Sequence, residues 1–400
     1  MDVCIKPAPL SGSIAAIPSK SAAHRALICA ALADRETAIF CPSLSKDIEA
    51  TASCLSALGA GIEYKEGCFH VRPIEKLNEN ALLNCGESGS TLRFLLPVVC
   101  ALGGGARLVM EGRLSERPLS PLWEELTAHG AELSKEGNSL LVRGRISAGE
   151  YRMRADVSSQ FISGLLFALP LLSGESSIEL EGHIESAGYI RMTLDMQKNF
   201  SLDIPFADRY FKIPAGSAYK APKALSVEGD WSNAAFWLVA GEISGSIEVS
   251  GLDENSAQGD RAVKDIIKLI RRGNATVDCK DVPDLVPVLS VLAALTEGET
   301  RFVNAARLRI KESDRLSAVR KMLHALGGDC TELEDGLVIR GREKLSGGTV
   351  DGMNDHRIVM SAAVAAAGCE SPVTVLGAQA ADKSYPAFFE DYRKLGGIIL

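Results

Sequence analysis

The sequence repeats one pattern about every 70 residues, and this period constrains the fold more than any other feature. Each copy reads as the end of a helix, a small residue with glycine, and a short hairpin, as in SALGAGIEYKEGCFHV and HALGGDCTELEDGLVIRG. Successive markers are separated by 71, 70, 73, 54 and 69 residues and fall at Gly59, Gly130, Phe200, Gly273, Gly327 and Gly396. Such a period predicts a chain built from copies of one supersecondary unit.

A second, independent marker gives the same period. Short polar clusters precede Ala- and Leu-rich runs, as in PSKSAAHRALICAAL and NDHRIVMSAAVAAAG. The intervals are 69, 70, 72, 53 and 72 residues, measured between Lys20, Gly89, Ser159, Trp231, Asp284 and His356. Because both markers show the same short fourth interval, the sequence predicts six copies, of which the fourth is shortened.

Within a copy, the hydrophobic pattern predicts an apolar helix, a strand, an amphipathic helix and a hairpin, and a leading strand completes a βαβαββ unit. The first helix is apolar nearly all round and should be buried, whereas the second should cover a sheet. In the first copy the predicted elements span 20–33, 37–41, 46–58, 61–66 and 68–72. The fourth copy lacks its hairpin, because only NATVDCK separates IIKLIRR from VPDL. One sheet should therefore be thinner, with an exposed edge.

Composition excludes several classes of protein. A net charge of −8 argues against a general binder of nucleic acid or anionic membranes, although a local basic pocket remains compatible with it. No uncharged apolar run reaches about 18 residues, and the N-terminus does not read as a signal peptide. Ten cysteines without a CxxC pair predict free thiols in a reducing compartment, and no zinc-type spacing or HExxH motif predicts a metal. We therefore expect a cytoplasmic protein without a metal or cofactor.

The starts of the six apolar helices predict an anion site. A helix N-terminus carries unsatisfied N–H groups and a partial positive charge, so several of them at one cleft would attract an anion. Ser, Thr, Asp and Asn at these starts can also be plain N-caps, and for Ser88, Ser158 and Asn354 both interpretations stay open. Capping does not explain Arg25, Arg93 and Arg357 in otherwise apolar helices. Few carboxylates occur in those stretches, so a bound anion is their expected partner.

A series of motifs carries a resemblance to a known family over nearly the whole chain. In order they are SKSAAHR, GESGSTLRF, ERPLSPL, SSQF, SAGYI, VEGDWSNAAFW, NSAQGD, VPDL, KESDRL, NDHR and DKSYP. The chain resembles the 5-enolpyruvylshikimate-3-phosphate synthase family of enolpyruvyl transferases. The combination of KESDRL, DHR, SSQF and SKSxxHR in this order is specific, whereas each motif alone is weak.

The resemblance implies a two-lobed α/β protein, an inside-out barrel with three βαβαββ units in each lobe. It implies that residues 20–227 form the first lobe, mainly the shikimate 3-phosphate side. Residues 1–19 and 228–400 would form the second lobe, mainly the phosphoenolpyruvate and catalytic side. The first strand would belong to the second lobe, and the active site would lie in a cleft that closes on substrate.

The resemblance also implies the ligands of each substrate. Shikimate 3-phosphate would be bound by Lys20, Ser21, Arg25, Ser158, Ser159, Gln160, Ser186, Tyr189, Asp284, Arg307 and Lys311. Phosphoenolpyruvate would be bound by Lys20, Gly89, Arg117, Gln160, Arg315, Arg357 and Lys383. Guanidinium groups suit the adjacent phosphate and carboxylate of phosphoenolpyruvate. Catalysis is assigned to Asp284, Lys311, Glu312 and Lys20.

The reaction follows from these substrates. The 5-hydroxyl adds to C2 of phosphoenolpyruvate while C3 is protonated, and the tetrahedral intermediate then loses phosphate. A lysine close to other cations should have a lowered pKa, which suits Lys311 to proton transfer. The expected partners are these two small molecules, with no nucleic acid and no membrane, and we expect a monomer. Glu87, Ser90 and Arg307 depart from the residues usual in the family, and Glu87 would repel phosphoenolpyruvate unless it points away or pairs with an arginine.

The sequence disfavours two alternative functions. The sister enzyme that uses UDP-N-acetylglucosamine needs a cysteine on the loop EGRLSERPL, which has none. A non-catalytic anion-binding scaffold predicts loss of Lys311, Glu312 or Asp284, and all three are present. The charged run RIKESDR therefore reads as part of a site: if its helix starts by Lys311, then Lys311 and Arg315 share a side, and Asp314 can cap the first turn.

Overall fold

The computed structural model describes all 400 residues of a mixed α/β protein, as predicted. The chain divides into two compact units. The continuous unit is Pro18–Val227, and the discontinuous unit is Met1–Ile17 with Glu228–Leu400. Each has its own hydrophobic core. The structure contains no helix of the length and apolar character needed to span a membrane.

Helices and strands alternate along most of the chain. The strands are β1 Val3–Lys6, β2 Gly12–Ala15, β3 Thr37–Phe40, β4 Gly61–Lys65, β5 Cys68–Arg72, β6 Ala81–Asn84, β7 Ala106–Val109, β8 Ala131–Glu136, β9 Ser139–Gly144, β10 Glu150–Arg154, β11 Ser176–Glu181, β12 Phe206–Ala207, β13 Tyr210–Ile213, β14 Ala224–Ser226, β15 Ile247–Ser250, β16 Ala275–Asp278, β17 Gly298–Val303, β18 Asp329–Leu333, β19 Gly336–Gly341, β20 Gly348–Asp351, β21 Val373–Leu376 and β22 Ile398–Ile399. The helices are α1 Lys20–Ala31, α2 Lys46–Leu58, α3 Gly89–Leu102, α4 Leu122–Ala128, α5 Ser159–Ala168, α6 Ala187–Asn199, α7 Trp231–Ser244, α8 Val263–Arg271, α9 Val286–Ala294, α10 Arg315–Ala325, α11 His356–Ala365 and α12 Phe388–Lys394.

Five four-stranded sheets share one arrangement, in which a parallel pair is followed by two antiparallel neighbours. The continuous unit contains β14-β3-β5-β4, β6-β7-β9-β8 and β10-β11-β13-β12. The discontinuous unit contains β16-β17-β19-β18 and β20-β21-β1-β22. Strand β1 thus pairs with strands from the other end of the sequence.

The sixth sheet has only two strands, β15 and β2, which run parallel from Ile247 opposite Gly12 to Ser250 opposite Ala15. The predicted loss of the fourth hairpin is confirmed, because β16 alone lies between α8 and the turn Pro283–Leu285. Strand β16 pairs with β17 in another sheet. The thin sheet therefore keeps its parallel pair and lacks both antiparallel strands that the other five sheets have.

The six predicted buried helices are α1, α3, α5, α7, α9 and α11, and most of their residues are buried. The predicted elements of the first copy are confirmed to within two residues at each end. The marker Gly59 ends α2, because its φ of 118° lets its N–H reach the carbonyl oxygens of Leu55 and Ser56. Trp231 and Trp237 lie in the core, while Trp123 is only partly buried.

The helix in RIKESDR begins at Arg315, so the expectation that it starts by Lys311 is wrong. A short 3₁₀ turn, Ala306–Ile310, comes first, and Lys311 follows it with an extended backbone. The side chain of Asp314 accepts a hydrogen bond from the Ser317 N–H and fixes the helix start. Lys311 and Glu312 therefore lie on the loop before the helix. The loop backbone, and not a helical face, sets the direction of their side chains.

Candidate functional site

Five of the six buried helices have starts that are capped by side chains. Ser19, Ser88, Ser158, Asp230 and Asp355 each accept a hydrogen bond from a backbone N–H in the first turn. The capping interpretation is therefore confirmed for Ser88 and Ser158 and wrong for Asn354, where the next residue is the cap. A cap satisfies one N–H of a helix start and leaves others for a ligand.

Arg25 of α1 is a buried cation with only neutral partners. Its Nη1 donates to the Ser21 carbonyl at 2.7 Å, Nη2 to the Tyr189 carbonyl at 2.9 Å, and Nε to the Thr193 hydroxyl at 2.9 Å. Its guanidinium also lies 5.0 Å from the centre of the Phe94 ring. Burial lowers the pKa of Arg25 to about 10, so it stays charged at neutral pH. A buried cation without a carboxylate is the arrangement expected of an anion site.

Gln160 connects the starts of α3 and α5. Its Nε2 donates to the Ser90 hydroxyl at 2.9 Å, and its Oε1 accepts from Arg93 Nη1 at 2.7 Å. Arg93 also donates to the Pro118 carbonyl at 3.3 Å and lies over the Phe161 ring. Ser159, the first residue of α5, is 4 % exposed. The structure therefore brings the SSQF and GESGSTLRF motifs together.

Gly89 allows Arg117 to approach the first turn of α3. A Cβ at Gly89 would lie 2.7 Å from Nη1 of Arg117, so any larger residue displaces that guanidinium. Arg117 also lines a cavity of about 350 Å³ with Trp123 and Lys135. The departure Glu87 lies against Gly112, where a Cβ would meet its carboxylate at 2.5 Å.

The remaining predicted residues of the continuous unit lie at the starts of α1 and α6. Lys20 pairs with Asp47 of α2 at 2.8 Å between Nζ and Oδ2, a partner that the sequence did not identify. Ser186 precedes α6 with a φ of 54°, and the Tyr189 carbonyl already contacts Arg25. Lys20, Ser186 and Tyr189 thus lie around the two helices that hold Arg25.

In the discontinuous unit, Arg315 is buried among three carboxylates. Its Nε donates to Asp355 Oδ2 at 2.8 Å, Nη1 to Asp284 Oδ1 at 2.7 Å, and Nη2 to Glu312 Oε2 at 2.7 Å. Its side chain is 1 % exposed. Burial alone would lower the pKa of Arg315, but these carboxylates raise it, so the guanidinium stays charged. One hydrogen on Nη1 is left for a ligand.

Lys311 lies beside the same cluster, with Nζ 3.7 Å from Asp284 Oδ1. Burial lowers the pKa of Lys311 to about 8, and the cations Arg315 and Arg307 act in the same direction, while Asp284 and Glu312 oppose them. The prediction of a lowered pKa is confirmed. The main cause of the lowered pKa is burial of the Lys311 ammonium away from water, and the neighbouring cations lower it further.

Arg357 and Lys383 complete the predicted set in this unit. Arg357 Nη2 lies 3.3 Å from Asp284 Oδ2, and Nη1 donates to the Asp284 carbonyl at 3.1 Å. Lys383 is 8 % exposed and donates to the Asn354 carbonyl at 2.5 Å. The expectation that Arg357 lacks a carboxylate partner is therefore wrong. Its partner Asp284 lies 73 residues away in the sequence, outside the apolar helix that contains Arg357.

The structure thus forms one cationic cluster in each unit and shows two carboxylates that the sequence analysis missed. Asp47 pairs with Lys20, and Asp355 holds Arg315 while it caps α11. Asp355 belongs to the NDHR motif, but the sequence indicates it only as part of a helix start and not as a partner of Arg315. No such signal identified Asp47.

Buried cations at several helix starts of a mixed α/β fold are the features of an anion-binding protein, and comparison with known proteins gives its family. The family model described as EPSP synthase (3-phosphoshikimate 1-carboxyvinyltransferase) matches residues 5–392. A 3-phosphoshikimate 1-carboxyvinyltransferase of Clostridium acetobutylicum is 43% identical, with 99% of this chain and 97% of the relative covered. One from Clostridium kluyveri is 41% identical, with 99% and 98% covered.

Solved structures show the same fold. An EPSP synthase from Acinetobacter baumannii has a TM-score of 0.82 and 24% identity, and the match covers 100% of this chain and 99% of that one. The chain belongs to the EPSP synthase family, as its motifs predict, and it is an enzyme of that class.

Proposed function

We propose that the protein transfers the enolpyruvyl group of phosphoenolpyruvate to the 5-hydroxyl of shikimate 3-phosphate and releases phosphate. The curated relatives carry the name of this activity. The observation that carries the chemistry is Lys311, whose pKa is about 8 and whose Nζ lies 3.7 Å from Asp284. A group with this pKa both gives and accepts a proton near neutral pH, which an addition followed by an elimination requires.

Shikimate 3-phosphate would bind mainly in the continuous unit. Arg25, whose partners are all neutral, supplies the charge for the phosphate, and Lys20 and the helix starts at Ser158 and Ser186 supply further donors. Ser21, Ser159, Gln160 and Tyr189 belong to the same proposed set. Asp284, Arg307 and Lys311 complete the proposed set for this substrate.

Phosphoenolpyruvate would be bound by a second proposed set of residues. Arg117, next to Gly89, and Gln160 and Lys20 are proposed in the continuous unit, and Arg357, Lys383 and Arg315 in the discontinuous one. Arg315 has one Nη1 hydrogen to offer, because its other four hydrogens already contact carboxylates. We therefore infer that Arg315 acts chiefly by holding Asp284 and Glu312 in place, while Arg357 is the main ligand.

The reaction would proceed by addition and elimination through a tetrahedral intermediate. Asp284 is kept ionised by Lys311, Arg315 and Arg357, so it can accept the proton of the 5-hydroxyl as the C2–O bond forms. Lys311 would donate a proton to C3 in the addition and take one back in the elimination. The C2–O bond to phosphate then breaks as the C2–C3 double bond forms again, the leaving phosphate takes the proton held by Asp284, and the positive charge of Lys20 stabilises this leaving group. Glu312 orients Arg315.

The finer architecture belongs to the same proposal. We infer two lobes, residues 20–227 and residues 1–19 with 228–400, each made of three βαβαββ units in an inside-out barrel. The strand order shared by five sheets and the twice-measured period of about 70 residues support this inference. A cytoplasmic location and a monomeric state stay predictions.

The test is to mix the protein with both substrates and to measure phosphate release. We expect release that depends on both shikimate 3-phosphate and phosphoenolpyruvate. Binding of both substrates without release would instead indicate an anion-binding scaffold. Release only with UDP-N-acetylglucosamine as acceptor would refute the acceptor assignment.

A further inference from the structure

Asp260 is a buried carboxyl group that the proposed mechanism does not use. It lies in the 3₁₀ turn Gly259–Ala262, at the end of the NSAQGD motif, and is 2 % exposed. Its turn packs closely on the segment that carries Asp284: a Cβ at Gly259 would lie 2.7 Å from the Asp281 carbonyl oxygen. The backbone thus fixes Asp260 next to the proposed catalytic cluster.

The contacts of Asp260 do not compensate a negative charge. Oδ2 accepts one hydrogen bond from the Ser232 hydroxyl, and Oδ1 is buried without a partner. None of its contacts is an ion pair. An ionised carboxylate in such a place is costly, so the protonated form is favoured. Burial, and then the charge of Asp284, raise the pKa of Asp260 to about 7, while Arg357 and Ser232 oppose the shift.

Ser232 connects Asp260 to Arg357. The Ser232 hydroxyl contacts Asp260, and the Ser232 carbonyl lies 3.5 Å from Arg357 Nη1. Arg357 in turn contacts both the backbone and the side chain of Asp284. Asp260 is therefore one residue removed from the cation proposed to bind phosphoenolpyruvate.

The other charges near Asp260 are few. Asp284 comes from the turn before α9, Arg357 from α11, and Asp230 from the cap of α7. On the side of α8, Lys264 lies over the Trp231 ring and pairs with Glu254, and Arg261 donates to the Glu254 carbonyl. Arg357 is thus the cation among these charges that acts on Asp260, and an anion that binds Arg357 competes with the charge of ionised Asp260.

We propose that Asp260 is a positioning residue that takes up one proton when phosphoenolpyruvate binds at Arg357. The proposal rests on the proposed function, in which Arg357 is a ligand of that substrate. An ionised Asp260 partly neutralises Arg357 and draws it away from the substrate. Once Asp260 is protonated, Arg357 is available to the incoming anion, and the buried carboxyl keeps only its hydrogen bond to Ser232. Binding is then linked to pH.

The experiment measures the KM for phosphoenolpyruvate between pH 6 and 8 at saturating shikimate 3-phosphate. With a free-enzyme pKa of about 7 and a protonated bound state, KM should rise about tenfold over this range. Asp260→Asn imitates the protonated form, so its KM should match the wild type at pH 6 and be about tenfold lower at pH 8. The ratio of the two KM values cancels the ionisation of phosphoenolpyruvate itself.

A matched control and a second variant complete the design. Asp265→Asn removes an exposed carboxylate of α8, 86% exposed, and should follow the wild type at every pH. Ser232→Ala removes the one donor to Asp260, so it should move the rise in KM to higher pH. This variant keeps the test valid if Asp260→Asn does not fold.

The outcomes separate this proposal from the proposed function. If the wild type releases phosphate but the ratio of KM values to Asp260→Asn is constant with pH, the role of Asp260 is refuted and the function stands. If Asp260→Asn lowers kcat equally at every pH with unchanged KM, Asp260 has only a structural role. Absence of phosphate release by the wild type refutes the function itself, and this inference with it.

Discussion

Removal of Asp355 should destabilise the discontinuous unit far more than removal of the comparable cap Asp314. Both residues begin a helix by accepting a hydrogen bond from a first-turn N–H. Asp355 is fully buried and also accepts hydrogen bonds from Arg315 Nε at 2.8 Å and from Ser313 at 2.9 Å. Asp314 is 38% exposed, and its ionic partner Arg309 is 31% exposed.

These contacts set the expected magnitudes. Loss of a cap costs about 1 kcal/mol, and a surface ion pair adds at most about 1 kcal/mol, so Asp314→Ala should cost about 1–2 kcal/mol. Removal of one partner from a buried pair costs about 3–5 kcal/mol. Because Asp284 and Glu312 still hold Arg315, we take the lower end for that loss. Asp355→Ala should then cost about 4 kcal/mol in all, the sum of cap and pair.

The assay follows unfolding of the discontinuous unit by tryptophan fluorescence during denaturant titration. Trp231 and Trp237 are buried in that unit, and a Trp123→Phe background removes the signal of the continuous unit. For a unit of this size, the difference in unfolding free energy between the variants should make the melting temperature of Asp355→Ala roughly 4–12 °C lower than that of Asp314→Ala. Equal losses in Asp314→Ala and Asp355→Ala would refute the reasoning that the buried pair with Arg315 matters.

The same pair predicts a pH dependence. Burial acts to raise the pKa of Asp355, but Arg315 outweighs it, and the net pKa lies below the ordinary value. A lowered folded-state pKa contributes stability above the unfolded-state pKa of about 4, and this contribution is lost as the pH falls through the folded-state value. The stability gap between the wild type and Asp355→Ala should therefore be constant near neutrality and close under acid conditions. A gap that persists after Asp355 is protonated would contradict the assignment.

Three further predictions concern the two cationic clusters. Lys311→Arg keeps the positive charge, but an arginine cannot exchange a proton near pH 8. The kcat should therefore fall by at least about 100-fold with little change in the KM for phosphoenolpyruvate. An unchanged kcat would show that Lys311 does not transfer a proton. Arg25→Met removes a buried cation that has only neutral partners, so chemical denaturation should show unchanged or greater stability. The KM for shikimate 3-phosphate should rise about 10- to 100-fold. A loss of stability with unchanged KM would show that the cation is structural. Gly89→Ala places a Cβ 2.7 Å from Arg117 Nη1, so the KM for phosphoenolpyruvate should rise more than that for shikimate 3-phosphate, and equal effects on both would contradict the proposed division of ligands.

Local signals in the sequence predicted most of the secondary structure. The helix 46–58 was predicted at its observed bounds, since its apolar face, its serine cap and its terminal glycine all lie within a few residues of one another. The helix after RIKESDR was placed one turn too early. Asp314, which the sequence already offers as a cap, accepts a hydrogen bond from the Ser317 N–H and fixes the start at Arg315 instead of Lys311.

Partners distant in sequence could not be predicted in the same way. Two of the three carboxylates around Arg315, Asp355 and Asp284, come from positions 40 and 31 residues away, so no short motif joins them to it. The prediction that a buried arginine needs an anionic ligand fits Arg25, whose partners are neutral, and fails for Arg357, which Asp284 contacts. The distinction depends on tertiary packing, which hydrophobic periodicity does not encode.

The pairing of β1 and β2 has a consequence for folding during synthesis. Strand β14 is the last strand of the continuous unit and completes the sheet β14-β3-β5-β4, so all three sheets of that unit can form once Val227 has left the ribosome. Strand β2 cannot pair until β15 has been synthesised, and β1 cannot pair until β21 and β22 have been synthesised. At about 5–20 residues per second, β1 stays unpaired for roughly 10–35 s after the continuous unit is complete. During that time its apolar residues Val3 and Ile5 are open to chaperones and to other nascent chains, and mutations that slow translation after residue 227 should lower the yield of soluble protein.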